Sequence, residues 1–93
     1  MANTKSAQKH MRQDIKRRVR NRVVRSSART YVKRARVLIN AGEMDESVAA
    51  VHEAISALDR AVAKGVIHRN NAARRKSRLM KRLHVAQQED LEA

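Results

Sequence analysis

The sequence contains no cysteine, proline, phenylalanine or tryptophan, and it has only two glycines and one tyrosine. Without cysteine the chain has no disulfide, no thiolate zinc site and no cysteine nucleophile, so zinc-finger nucleic-acid binding is excluded. Without proline, and with so little glycine, few positions interrupt a helix. No alternating strand pattern bounded by turns is present. These absences predict an all-α protein.

Long apolar runs are also missing. No stretch approaches the roughly 18 consecutive apolar residues of a membrane span, and the first twenty residues lack the apolar stretch of a signal peptide. We therefore expect no membrane partner and no Sec-dependent export.

Two glycines divide the chain into three segments. Gly42 and Gly65 stand where a helix can end in a left-handed residue. We predict helices over about residues 6–40, 45–64 and 70–86 of one 93-residue domain. A first helix of that length is roughly 50 Å long, against roughly 30 Å for the second, so it must overhang the bundle.

The helix starts and the chain end carry local signals. Asp45 is the predicted N-cap of the second helix, and Asn70 or Asn71 that of the third. The residues after 86 include three acids and form a predicted acidic tail at 87–93.

Each segment has an apolar stripe at helical spacing, and together the stripes predict the core of a three-helix bundle. The middle stripe is too short for a dimeric coiled coil, so homo-oligomers are not expected. The stripes are Val24, Ala28, Tyr31, Val32, Ala35, Leu38 and Ile39 in the first segment; Met44, Val48, Val51, Ile55, Leu58 and Val62 in the second; and Ala72, Leu79, Leu83 and Ala86 in the third.

Positive charge is concentrated in the outer two segments. Residues 1–40 carry 13 basic side chains and one acid, Asp14, and residues 64–84 carry eight and none, whereas residues 41–63 are net acidic. A net charge of +13 repels itself in a compact state, so a polyanionic partner is expected.

The basic side chains fall into rows at helical spacing. Such a row places charges about 5–6 Å apart, which suits phosphates along a nucleic acid, and it is costly for a face that meets only water. The first basic row is Arg18, Arg22, Arg25, Arg29, Lys33 and Arg36; the second is Lys5, Lys9, Arg12, Lys16 and Arg20; the third is Arg74, Arg75, Arg78, Lys81 and Arg82. A thin apolar strip of Met11, Ile15, Val19 and Val23 accompanies the second row.

Other functions find less support. The histidines at 10, 52, 68 and 84 are too scattered for a ligand pair, so we expect no enzyme, metal or cofactor. A leucine-zipper basic region needs a zipper, and a membrane-surface helix needs a broad apolar face. A nucleoid-type, sequence-independent DNA-binding protein shares this composition and stays open as the alternative. Because aromatic residues are nearly absent, recognition by shape and backbone is expected.

Two blocks of sequence carry a family resemblance. They are Ala2, Asn3, Lys5, Ser6, Ala7, Lys9, Arg12, Gln13, Arg17, Arg18, Arg20, Asn21, Ser26, Arg29, Thr30 and Lys33, and then Leu58 to Ala61, Ala63 to Asn70, Ala72 to Arg74 and Lys76 to Leu79. The chain resembles the S-twenty family of bacterial small-subunit ribosomal proteins over nearly its whole length. His10 and Asp14 depart from the family pattern.

The resemblance implies a structural constituent of the small ribosomal subunit, in the cytoplasm. It implies direct binding to small-subunit (16S-type) rRNA early in assembly, beside other small-subunit components. The implied rRNA-binding residues are Lys5, Ser6, Lys9, Arg12, Gln13, Lys16, Arg17, Arg20, Asn21, Arg25, Arg29, Lys64, His68, Asn70, Arg74, Ser77 and Arg78. Because its charges repel and its apolar strip has no bundle partner, the first dozen or more residues are expected to become helical on RNA.

Overall fold

The computed structural model describes residues 4–92 and shows three α-helices joined by short turns. They are α1 (Lys5–Asn40), α2 (Met44–Ala63) and α3 (Arg69–Glu92), and there is no strand within residues 4–92. The predicted all-α three-helix bundle with a long first helix is confirmed. Ala2 and Asn3, which belong to the family resemblance, lie outside the described residues.

Glycine ends both α1 and α2, as predicted. Gly42 and Gly65 have φ angles of 78° and 71°. After α1 the N–H of Gly42 donates to the carbonyl of Ile39, and the N–H of Glu43 donates to that of Leu38; the same pair of bonds closes α2. This arrangement satisfies carbonyls that a helix end leaves free, and it reverses the chain within a few residues. Consecutive helices are therefore antiparallel neighbours.

The predicted N-cap of α2 is wrong. The helix begins at Met44, and its N-cap position belongs to Glu43, which makes no capping hydrogen bond with its side chain. Asp45 lies in the first turn instead. There its negative charge favours the helix through the dipole.

The predicted N-cap of α3 is wrong as well. The helix begins at Arg69, and the Nδ1 atom of His68 accepts a hydrogen bond from the backbone N–H of Asn70 at 3.1 Å. His68 thus fills the capping position, which leaves the Oδ1 atom of Asn71 free to accept from the Nε of Arg75 at 2.7 Å.

Small side chains line the contact of α2 with its neighbours. Of the stripe predicted for this helix, Val51 and Leu58 are buried, whereas the other four residues are half-buried. The remaining buried positions are Ser47, Ala50, Ala54, Ala57 and Ala61. Since these residues are small, the helix axes can approach closely, and the larger side chains pack around the line of contact.

The stripe predicted for α3 is confirmed, and so is that for α1 except at Val24, which is half-buried and outside the core cluster. Ala28, Val32, Ala35 and Ile39 of α1 are buried, with Tyr31 and Leu38 packed against them. Ala72 and Leu79 of α3 are buried, with Leu83 and Ala86 beside the core. The core therefore occupies only the C-terminal half of α1.

The N-terminal half of α1 projects beyond the bundle. Every residue from 8 to 20 is exposed, and the described chain measures 68 × 21 × 16 Å. We call residues 5–23 the overhang. The overhang expected from the helix lengths is confirmed.

Helix α3 continues past its predicted end at residue 86. The acidic residues Glu89, Asp90 and Glu92 are helical. No glycine or proline follows residue 86, and Ala86, Gln87 and Gln88 are favourable helix formers, so nothing in the sequence stops the helix there.

Enlarging a small residue on α2 should disrupt the bundle. Ala54 is fully buried, so Ala54→Leu forces α2 away from its neighbours and should lower the free energy of unfolding by about 1–3 kcal/mol. The exposed Ala49 on the same helix provides the control, because Ala49→Leu should leave stability nearly unchanged. Urea unfolding followed by circular dichroism measures both variants. Equal stability of the two would contradict the close helix contact.

Candidate nucleic-acid interface

The overhang carries basic side chains on two opposite sides. At about 100° of rotation per helical residue, the first and second basic rows lie roughly 150° apart around α1. All members of both rows are exposed. The first row continues beyond the overhang along the bundle to Arg36, whereas the second ends at Arg20. The overhang can therefore contact polyanions on both sides at once.

The residues implied as rRNA contacts are at the surface, with one exception. All are exposed except Asn21, which is half-buried. Its Oδ1 atom is buried and has no hydrogen-bond partner within residues 4–92. The amide would have to turn outward before it could contact RNA through this atom.

The implied contacts after α2 lie at the end of the bundle from which the overhang projects. Lys64 follows the last turn of α2, and His68 and Asn70 stand at the start of α3. Because α2 runs back along α1, this turn comes to the base of the overhang. Lys64, far from the overhang in the sequence, thus adds a positive charge at that point.

A groove between α1 and α3 gathers a second set of basic side chains. It has a volume of about 1120 Å³, and its apolar floor includes Val32, Ile39 and Leu79. Glu89 is the one acid among the lining residues. The basic lining residues are Arg36, Arg74, Arg75, Arg78, Lys81 and Arg82. Six cations around an open groove form a second concentration of positive charge, beside that of the overhang.

The family resemblance implied only two of these groove residues, Arg74 and Arg78. It did not imply Arg36, Arg75, Lys81 or Arg82, although the basic rows contain all four. The groove could not be predicted from local sequence, because it forms only when α1 and α3 pack side by side. This packing places Arg36 next to the third basic row, which is distant from it in the chain.

Few acids balance these charges within the bundle. The ion pair within residues 4–92 joins Lys76 of α3 to Asp59 of α2, with 2.8 Å between Nζ and Oδ1. Both side chains are partly exposed, and such surface pairs stabilise a fold by no more than about 1 kcal/mol. The three basic rows therefore remain uncompensated by the protein's own carboxylates.

The single aromatic ring is not offered to a base. Tyr31 is half-buried against the core, and the guanidinium of Arg34 lies 5.6 Å from the ring centroid. Since base stacking needs an exposed ring face, Tyr31 is not positioned to stack on a base.

The described residues contain neither a metal-binding cluster nor a membrane-spanning helix. Among the side chains of residues 4–92, no three His, Asp or Glu lie together in a way that could hold a metal ion. No helix in that range has the length and apolar character needed to cross a membrane.

The role of His68 can be separated into capping and RNA contact. His68→Ala removes the cap of α3 and should lower the free energy of unfolding by about 0.5–1 kcal/mol, whereas His68→Asn supplies an alternative cap and should preserve stability. If His68 also contacts RNA, the asparagine variant binds rRNA more weakly despite its intact fold. Thermal unfolding and a binding titration of both variants measure the two effects. Unchanged stability of His68→Ala would contradict the capping role.

Known proteins are similar to this sequence over almost all of its length. A family model described as ribosomal protein S20 matches residues 2–84. A small ribosomal subunit protein bS20 from Thermomicrobium roseum is 56% identical over 85 residues, which cover 91% of this chain and 86% of the relative. Proteins of the same name from Aquifex aeolicus and Thermobifida fusca are 49% and 48% identical, over 96% and 95% of this chain and 95% and 96% of the relatives.

The match extends over α1, the two glycine turns, α2 and the part of α3 up to His84, so it includes every basic residue of the surfaces described above. The family consists of structural ribosomal proteins and not of enzymes, in agreement with the sequence prediction. This chain belongs to the ribosomal protein S20 family.

Proposed function

We propose that this protein is a structural component of the bacterial small ribosomal subunit, in the cytoplasm, and that it binds small-subunit rRNA directly. The relatives are named as small-subunit proteins, which supports the ribosomal role. The observation that carries direct RNA binding is the uncompensated charge: three basic rows, exposed except at Arg75, with one ion pair within residues 4–92. A polyanion is the partner that relieves this repulsion.

The arrangement of the rows supports contact with more than one RNA segment. The two rows on the overhang point to opposite sides, and the groove between α1 and α3 lies on the bundle itself. A helix that neutralises phosphates on both sides reduces the repulsion between two RNA backbones. The protein would in this way hold converging RNA segments together during assembly.

The proposed contacts are Lys5, Ser6, Lys9, Arg12, Gln13, Lys16, Arg17, Arg20, Asn21, Arg25, Arg29, Lys64, His68, Asn70, Arg74, Ser77 and Arg78. To these the groove adds Arg36, Arg75, Lys81 and Arg82. Other small-subunit components are the expected neighbours. A second copy of the chain is not, because two surfaces of the same charge repel each other.

Removing charge from the first basic row should weaken RNA binding in a salt-dependent way. Arg25 and Arg29 are exposed on the bundle part of α1. The double change Arg25→Gln and Arg29→Gln should lower affinity and reduce the slope of log K against log salt by about one unit for each lost phosphate contact. Arg60→Gln, at an exposed position of the acidic α2, is the matched control. A slope equal to that of the control would remove both arginines from the interface.

The same titration distinguishes RNA binding from general DNA binding. Wild-type protein should retain its preference for small-subunit rRNA over duplex DNA of equal length as salt rises, since charge alone favours both ligands at low salt. Equal loss of both complexes at high salt would favour a nucleoid-type protein and contradict the ribosomal proposal.

The overhang should gain helical structure from RNA. Residues 8–20 are all exposed and have no packing partner in the bundle, and neighbouring cations at i, i+4 destabilise an isolated helix. Circular dichroism at low salt should therefore show greater helicity with rRNA than without it. A variant lacking residues 1–16 controls for changes elsewhere and should show a smaller gain. Full helicity of the free wild-type protein in dilute buffer would contradict this expectation.

A further inference from the structure

The apolar strip of the overhang is exposed although it lies in the most highly charged part of the molecule. Met11, Ile15, Val19 and Val23 are 57%, 57%, 56% and 62% exposed. They recur at every fourth residue, so they form one continuous line on the helix. Isoleucine and valine are weaker helix formers than lysine, arginine or glutamine. A helix face that met only water would gain nothing from them.

Cations border the middle of this line on both edges, whereas the two ends have other neighbours: Met11 lies between Gln8 and Asp14, and Val23 lies between Arg20 and Ser26. Residues three apart on a helix are neighbours, so Ile15 lies between Arg12 and Arg18. One turn further along, Val19 lies between Lys16 and Arg22 in the same way. A shallow depression of about 330 Å³ next to the strip is lined by Gln8, Met11, Arg12 and Ile15. Around Ile15 and Val19 the overhang therefore presents apolar surface between two pairs of cations.

This pattern restricts the occupant. A second copy of the chain would bring the same cations face to face and be repelled. A lipid surface favours a broad apolar face with tryptophan, phenylalanine or leucine, and the strip has none of these. A single nucleic-acid strand supplies one line of phosphates, whereas a duplex groove supplies two lines with sugar surface between them.

We propose that the apolar strip lies in the minor groove of an RNA duplex, with its bordering cations on the phosphates of the two strands. This proposal rests on the function proposed above and adds which part of the RNA the overhang recognises. The minor groove of an RNA helix is wide and shallow, and it displays the riboses. An α-helix about 10–12 Å across can lie along it. The minor groove of B-form DNA, about 6 Å wide, is too narrow for a helix.

The test separates apolar contact from charge. The double variant Ile15→Gln and Val19→Gln keeps every cation, and glutamine is at least as good a helix former as the residues it replaces. It should bind small-subunit rRNA about tenfold more weakly or worse, with an unchanged salt slope, because no phosphate contact is lost. Val37→Gln is the matched control: Val37 is 57% exposed on the same helix but beyond the overhang. It should bind like wild type.

Hydroxyl-radical footprinting on the rRNA provides the second readout. The wild-type protein should protect riboses on both strands of a duplex, and the double variant should lose that protection while other footprints remain. Affinity of the double variant equal to that of Val37→Gln would overturn the proposal, as would protection confined to single-stranded loops. Unchanged RNA binding with lost capture on phosphatidylglycerol vesicles would assign the strip to a lipid surface instead. Failure of the proposed function is distinguishable, since the wild-type protein would then show no preference for rRNA.

Discussion

The close contact between α1 and α2 supports the rest of the structure. The chain has one aromatic residue and few large side chains, so it cannot build a core around bulky anchors. Instead the part of its core that α1 and α2 share consists mostly of alanine and valine. Contacts between small residues allow short helix separation, and dispersion between closely packed surfaces partly offsets the modest apolar area. The small core suffices to anchor one half of α1, and the other half extends from it.

Repulsion between the basic side chains limits the stability of this bundle. A charge of +13 opposes compaction, and the protein's own carboxylates do little to reduce it. The elongated shape spreads the charge over 68 Å, which is several screening lengths at physiological salt. In the proposed RNA complex the same positive charge is favourable, because it neutralises phosphates and the counterions that they release gain entropy. Stability and binding are therefore coupled through the same side chains.

Much of the candidate interface could be predicted from the sequence, because exposed rows on a helix depend only on local spacing. The two rows of the overhang follow from the 3.6-residue period of α1. The groove between α1 and α3 does not, since it depends on how two helices meet. Arg36 and Arg82 are 46 positions apart in the chain and line the same groove. At Asn21 the family resemblance implied an RNA contact, but the structure buries the Oδ1 atom of its side chain.

The sequence by itself determined the helical class, the two glycine turns and the overhang, because these follow from propensity, from left-handed residues and from helix lengths. It also determined which faces are basic. The tertiary structure decided which residues form the line of contact on α2. The helical periodicity of the sequence pointed to the large apolar residues, whereas most residues buried at the helix contact are small. It also decided the N-cap of α3, where the side chain of His68, and not that of an asparagine, accepts a hydrogen bond from the backbone N–H of Asn70. The tertiary structure likewise decided the basic groove, because only helix packing brings together charges from α1 and α3, which are far apart in the sequence.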